Sequence, residues 1–282
     1  MKTYLDCIPC FFQQALLSSK AAGIDDDVTK RILDRLAMLV PEIPLNSTPP
    51  ETGRMVYKIL REVSGVENPF KEWKDASMQK AFELYPSLKE KVAASADPLK
   101  TAVHIAIAGN IIDFATNPDF ELEREIEGIL QRKPAINHYQ AFKDHLKDAA
   151  SVLYLADNAG ETVFDKILIE TMGKTVIYAV RDKPVINDAT VEDAVTSGLD
   201  TVATIISSGS DAPGTILKRC SEEFLAHYKE ADIIISKGQG NFESLSAEQG
   251  PIFFLLMAKC PLIAKDLGVE QGDIIIKSQM ES

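Results

Sequence analysis

The feature that most restricts what this chain can fold into is a change in the spacing of its apolar residues near residue 148. Upstream of that point apolar residues recur every three or four positions over 11–22, 27–39, 50–64, 69–84, 86–94, 99–114 and 121–131, the period of helices that bury one face. Pro41, Pro44, Pro49, Pro50, Pro69, Pro86, Pro98, Pro118 and Pro134 fall between or at the starts of these segments, where a missing N–H costs little. Downstream, short apolar and β-branched runs at 151–156, 175–180, 201–206, 232–236, 260–264 and 273–277 alternate with helical stretches. Such alternation predicts a mostly parallel sheet covered by helices on both faces. The expected fold class is therefore α/β: an all-helical N-terminal domain over 1–147, then a three-layer α/β/α, Rossmann-like C-terminal domain over 148–282. The polar stretch 131–147 is the expected connection, although its tail AFKDHLK is spaced like a helix.

Sheets of this kind gather ligands outside the carboxyl ends of their strands, so the residues directly after each run are where chemistry is to be sought. The first run leads into DNAGE at 157–161 and a helical stretch, which places Asp157 and Asn158 at a strand tip beside a helix start. Backbone N–H groups there favour an anion, while the two side-chain oxygens favour a cation. The same two residues read equally well as a helix cap. The second run leads to INDATVED at 186–193, which delivers Asp188, again either a cap or a ligand. Together Asp157, Asn158 and Asp188 make an all-oxygen donor set suited to Mg²⁺ or Mn²⁺, with water and a phosphate completing the shell. The loop SSGSDAPGT at 207–215 lets a ligand approach backbone amides closely and reads equally as a routine strand-to-helix turn. The fourth run ends in KGQGNFESL at 237–245, where Lys237 is a point charge able to hold a phosphoryl oxygen.

Charge narrows the ligand class. Thirty Lys and Arg against 42 Asp and Glu give a net charge of -12, which repels nucleic-acid backbones. A small phosphorylated metabolite stays compatible, since a bound dication reverses the local field. The sequence has no apolar stretch of membrane-spanning length and no basic, apolar and cleavage-site pattern at its start, so a cytoplasmic protein with no membrane partner is expected. With four Cys, reduced thiols are the default. Cys7 and Cys10 form a CxxC that suits half a zinc site, thiol exchange or burial as small hydrophobes. His104, His138, His145 and His227 lack the i, i+4 spacing of a helical metal site.

Taken in order, CIPC at 7–10, AGNIIDF at 108–114, DNAGE, INDATVED and KGQGNFESL resemble the metal-dependent damage-control phosphatases, in particular their short prokaryotic and archaeal-type branch. The resemblance runs from residue 7 to about 265 and implies an active site in the cleft between a helical and an α/β domain. It further implies hydrolysis of phosphate monoesters, sugar phosphates or damaged phosphometabolites, with Mn²⁺, Co²⁺, Ni²⁺ or Mg²⁺ as cofactor. Carried over by motif, the metal ligands fall on Asp157, Asn158 and Asp188, and the catalytic residues on Asp157 and Lys237. Substrate contacts fall on Asn110, Glu161, Lys237 and Asn241, with Glu161 standing where longer eukaryotic relatives carry an apolar residue. Whether Asp157 is only a ligand or also attacks phosphorus stays open at this stage. So do a non-catalytic nucleotide or sugar-phosphate binding protein, the physiological substrate and the oligomeric state.

Overall fold

The computed structural model describes residues 1–111 and 122–280. Among them are twelve α-helices and seven strands in one sheet. The helical half begins with α1 (Cys7–Ala21), α2 (Asp26–Leu39) and α3 (Pro49–Ser64), which enclose a small core around Phe11, Ile32, Leu36 and Leu60. The start of α3 is specified twice: prolines occupy its first positions, and Thr48 and Glu51 form a reciprocal capping box. Then follow α4 (Lys71–Ala93), α5 (Pro98–Ala108) and α6 (Leu122–Gln131). The expected helices 69–84 and 86–94 are one helix, α4, with Pro86 inside it. Leu84 and Leu88, both buried, lie a turn apart across the proline, so burial on both sides holds the helix together where local propensity favours a break. The end of the expected helix 99–114, the last residues of AGNIIDF, Pro118 and Glu121 lie outside the described residues.

The sheet is built from β1 (Ile136–Asn137), β2 (Ser151–Leu155), β3 (Thr175–Val180), β4 (Thr204–Ser207), β5 (Ile233–Lys237), β6 (Ile252–Met257) and β7 (Ile274–Ser278). Their order is β1-β7-β6-β5-β2-β3-β4, and every pairing is parallel except that of β6 with β7. Between and beside them run α7 (Tyr139–Asp148), α8 (Thr162–Met172), α9 (Val191–Thr196), α10 (Glu222–Glu230), α11 (Gly238–Leu245) and α12 (Pro261–Leu267). The mixed α/β class with a mostly parallel sheet is thus as expected. Two assignments are not. The run 260–264 is helix α12, because Pro261 at the first helical position with Cys260 before it starts a helix rather than a strand. The strand is instead IFFLLM, all six residues buried, an uninterrupted apolar run of the kind a strand covered on both faces shows. A third element, β1, lies before residue 148 and is too short for any alternation to register.

One large core cluster runs from Ala81, Leu84 and Ala102–Ala108 of the helical half through Val152, Tyr154, Phe164 and Tyr178 to Phe253 and Ile274. A cavity beyond the carboxyl ends of the strands is lined by residues of α1 and α3 as well as by Asp157 and Asp188, and the site sits there.

Candidate active site

Three strand ends converge on one cluster of polar side chains. Beyond Leu155 the chain keeps in register for one more residue, with Ala156 N–H donating to the carbonyl of Ala179, and then presents Asp157 and Asn158. The segment after β3 returns against it. Ala159 N–H donates to Asn187 O at 2.8 Å, Ala189 N–H donates to Asp157 O at 2.7 Å, and Asn158 and Asp188 form an antiparallel bridge. Backbone pairing therefore sets Asp188 beside Asp157 and Asn158 although 31 and 30 positions separate it from them along the chain. The return is made by a tight turn in which Ile186 has φ of +45°, a left-handed conformation that a β-branched residue adopts only under constraint. That strain stands directly on the cavity wall.

A second layer fixes these groups. Asn110, at the end of the segment after α5, donates its amide to Asp157 Oδ2 at 2.7 Å and also to Glu161. Asn158 donates to Glu161 Oε1 at 2.7 Å, using its NH2 on the buried carboxylates and keeping its carbonyl oxygen for another partner. Lys237 is fully buried and shared between Glu161 Oε2 and Asp165 Oδ1, each at 2.8 Å. Asp165 also accepts the hydroxyls of Tyr154 and Tyr178 at 2.6 and 2.7 Å. On the other side Arg181 donates from Nε to Asp188 Oδ2 at 2.7 Å and from Nη2 to Asn241 Oδ1 at 3.0 Å. Asn241 is saturated, accepting in addition from Thr215 and donating to the carbonyls of Ala156 and Lys237. Gly238 closes over this layer with φ of +75°, and a Cβ there would stand 1.9 Å from Asp157 Oδ2, so the position admits no side chain.

The cavity above the cluster has a volume of about 350 Å³, within the range of small-ligand sites. Asn110, Asp157, Asn158 and Asp188 line it, as the expected ligand and contact positions require. Glu161, Lys237 and Asn241 do not: all three are fully buried behind the wall and bonded to protein groups. The expected substrate contacts at those three positions are therefore not where the structure puts them. The cation that does line the cavity is Lys259, two residues past β6, a position hidden by the misassigned strand. Arg181 likewise escaped notice, since its role depends on a side chain folding back under the strand tip.

The electrostatics leave a clear deficit. Of the four buried carboxylates, Glu161, Asp165 and Asp188 are bonded to the two cations Lys237 and Arg181, and Asp157 is bonded to neither. Burial, and then the charges of Glu161 and Asp188, push Asp157 well above the ordinary carboxylate range against the opposing pull of Arg181 and Lys259. Burial raises Asp188 as well, against Arg181. Lys237 goes the other way, as Asp165 and Glu161 outweigh its burial and hold its proton more tightly than an ordinary lysine does. Asn110 Oδ1 is buried without a hydrogen-bond partner. Among the described residues no three His, Cys, Asp or Glu side chains are arranged to hold a metal ion. The set that reaches the cavity is two carboxylates and carboxamides, a hard, oxygen-only set that matches a magnesium- or manganese-like dication in both charge and chemistry.

Comparison with known proteins identifies the family. A family model described as the damage-control phosphatase ARMT1-like domain matches residues 3–275. The chain is 37% identical over 283 residues to damage-control phosphatase PH1575 of Pyrococcus horikoshii, covering 98% of this chain and 97% of that protein. It is 33% identical to a damage-control phosphatase of Archaeoglobus fulgidus, covering 96% and 97%. The crystal structure of the Pyrococcus horikoshii protein, described as a DUF89 family protein, superposes with a TM-score of 0.92 at 36% identity over 99% of both chains.

Proposed function

The chain belongs to the ARMT1-like damage-control phosphatase family, and from that premise we propose that its phosphatase chemistry depends on a divalent cation held by Asp157, Asn158 and Asp188. The observation that carries this reading is the charge deficit at Asp157, a buried carboxylate with no cation bonded to it at the floor of the cavity. Mn²⁺, Co²⁺, Ni²⁺ and Mg²⁺ are the candidates, and small phosphate monoesters of metabolites the substrates, as the cavity volume favours. When bound, such a cation supplies a Lewis acid that neutralises phosphate charge and makes water easier to deprotonate.

The protein's own groups do the rest. Arg181 fixes one oxygen of Asp188, and Asn110 fixes one oxygen of Asp157, so each carboxylate presents its other oxygen in a set direction. Lys259 offers its ammonium to a phosphoryl oxygen from beyond the carboxyl end of β6, at the same edge of the sheet. Lys237 neutralises Glu161 from below, which keeps the second layer from repelling an incoming phosphate. A cavity walled by Tyr57, Phe70 and Pro213 excludes bulk water and strengthens these interactions.

Phosphate release from a generic aryl phosphate tests the reading. Chelator-treated protein should be inactive, activity should return with one of the four cations, and Asp157→Asn should lower turnover roughly a hundredfold or more. Full activity in chelator, or a wild-type rate in the variant, would overturn it.

A further inference from the structure

KGQGNFESL contains one acidic residue to which the site above gives no work. Glu243 lies on α11, lines the same cavity and is half-buried, and its carboxylate has no hydrogen-bond or ion-pair partner among the described residues. The Cys7 and Cys10 thiols lie within reach of its charge, the terminal ammonium bonds the Glu243 backbone carbonyl at 3.0 Å, and Asp6, Tyr57, Lys259 and Cys260 line the same cavity. Burial pushes the carboxyl up to about 8, and only the terminal ammonium pulls appreciably the other way. The Cys7 thiol is itself pushed up by burial, with the Glu243 charge adding to the effect.

The position matters as much as the environment. Asp157 feels Glu161, Asp188, Arg181 and Lys259, whereas Cys7 and Cys10 feel Glu243 and Cys260. Lys259 and Cys260 are consecutive and line one cavity together with Asp157 and Glu243. A phosphate held between Asp157 and Lys259 has a closed, fully bonded layer behind it. Its ester oxygen therefore takes the open side of the cavity, whose lining includes Glu243.

We propose that Glu243 is the catalytic acid of the phosphatase, its carboxyl O–H delivering a proton to the ester oxygen as the phosphorus–oxygen bond breaks. The inference rests on the phosphatase reading given above. Water adds to phosphorus, the ester oxygen leaves as a neutral alcohol carrying the Glu243 proton, and the proton lost by the water returns to Glu243 through solvent. The products are one alcohol and one phosphate, with no other reactant needed. General-acid help of this kind is worth about 10² to 10⁴ in rate and is required only when the leaving group is a poor one.

The test compares two substrates in the metal-loaded protein: a nitrophenyl phosphate, whose leaving phenolate needs no proton, and an alkyl phosphate, whose alkoxide does. Glu243→Gln should keep the aryl rate within about threefold and lose about a hundredfold or more on the alkyl substrate. Wild-type alkyl turnover should fall as pH rises through about 8, because the acid form is depleted there, and the variant should lack that limb. Retained aryl turnover also reports that the variant is folded. Equal losses on both substrates, or no loss on the alkyl one, overturn the proposal while leaving the metal reading intact. Failure of the wild-type protein on both substrates overturns the metal reading and this inference with it.

Discussion

At the scale of single residues, two lysines exchange the parts that a sequence reading assigns. Lys237 follows a strand and precedes a glycine, the setting of a phosphate-binding lysine, yet its ammonium is locked between Glu161 and Asp165. Lys259 has no motif around it but is the lysine on the cavity wall. The difference follows from which face of the strand tip each side chain takes, and spacing carries no information about that. The two should separate cleanly on mutation. Lys237→Met strands two buried carboxylates and should lower unfolding stability in urea by about 3–5 kcal/mol. Lys259→Ala should leave the urea midpoint unchanged and weaken inhibition by inorganic phosphate about tenfold. A stable Lys237→Met protein, or a Lys259→Ala protein with normal phosphate affinity, would refute the assignment. Asp157, Asn158 and Asp188 were legible because oxygen-bearing residues after strands are placed by topology, which the pattern of runs does reveal. Arg181 and Glu243 were not, as each acts through a long side chain whose direction only packing decides.

Elements tell a similar story. Strands with β-branched residues flanked by turns, such as β3, were located to the residue, whereas IFFLLM passed unnoticed because a continuous apolar run has no period to separate strand from helix. Pro86 misled in the opposite direction, where tertiary burial overrode a local break signal. The element that clamps the two halves around the site is α3. Its Arg54 bonds Asp211 in the loop after β4, and its Arg61 reaches Asp211 at 3.7 Å and the carbonyl of Pro184 at 3.3 Å. Burial alone would raise the Asp211 carboxyl, but its bond to Arg54 and the charges of Arg54 and Arg61 outweigh burial and hold it below the ordinary value. A depressed carboxylate contributes stability above its unfolded pKa of about 3.9 and loses it as pH falls through the folded value. Discounted for solvent screening, Asp211→Asn should lower the Tm by about 2 °C at pH 7, and the gap should close below about pH 4. A gap that persists in acid would mean that the loop is held by something other than this charge.

The whole molecule carries a net charge of -12 and concentrates four buried carboxylates at one end of its sheet, an arrangement that works against its own compact state. Among the described residues no helix is long and apolar enough to cross a membrane. The largest core passes from α4 and α5 through the sheet without a gap, and β1, from the helical half of the chain, pairs with β7. Strain at the carboxylate cluster is therefore transmitted to both halves together instead of being confined to one. A cation bound at Asp157 should consequently stabilise the entire chain as one unit. Ligand at a hundred times its dissociation constant adds about 2.7 kcal/mol, which for a chain of this size corresponds to a rise in Tm of roughly 5–10 °C. Thermal unfolding followed by far- and near-ultraviolet circular dichroism should show a single coincident transition, shifted upward by Mn²⁺ or Mg²⁺ over chelator. In Asp157→Asn the transition should remain single and the shift should vanish. Two separated transitions, of which the cation moves only one, would show instead that the helical half folds independently of the charge cluster and that the shared core does not couple them.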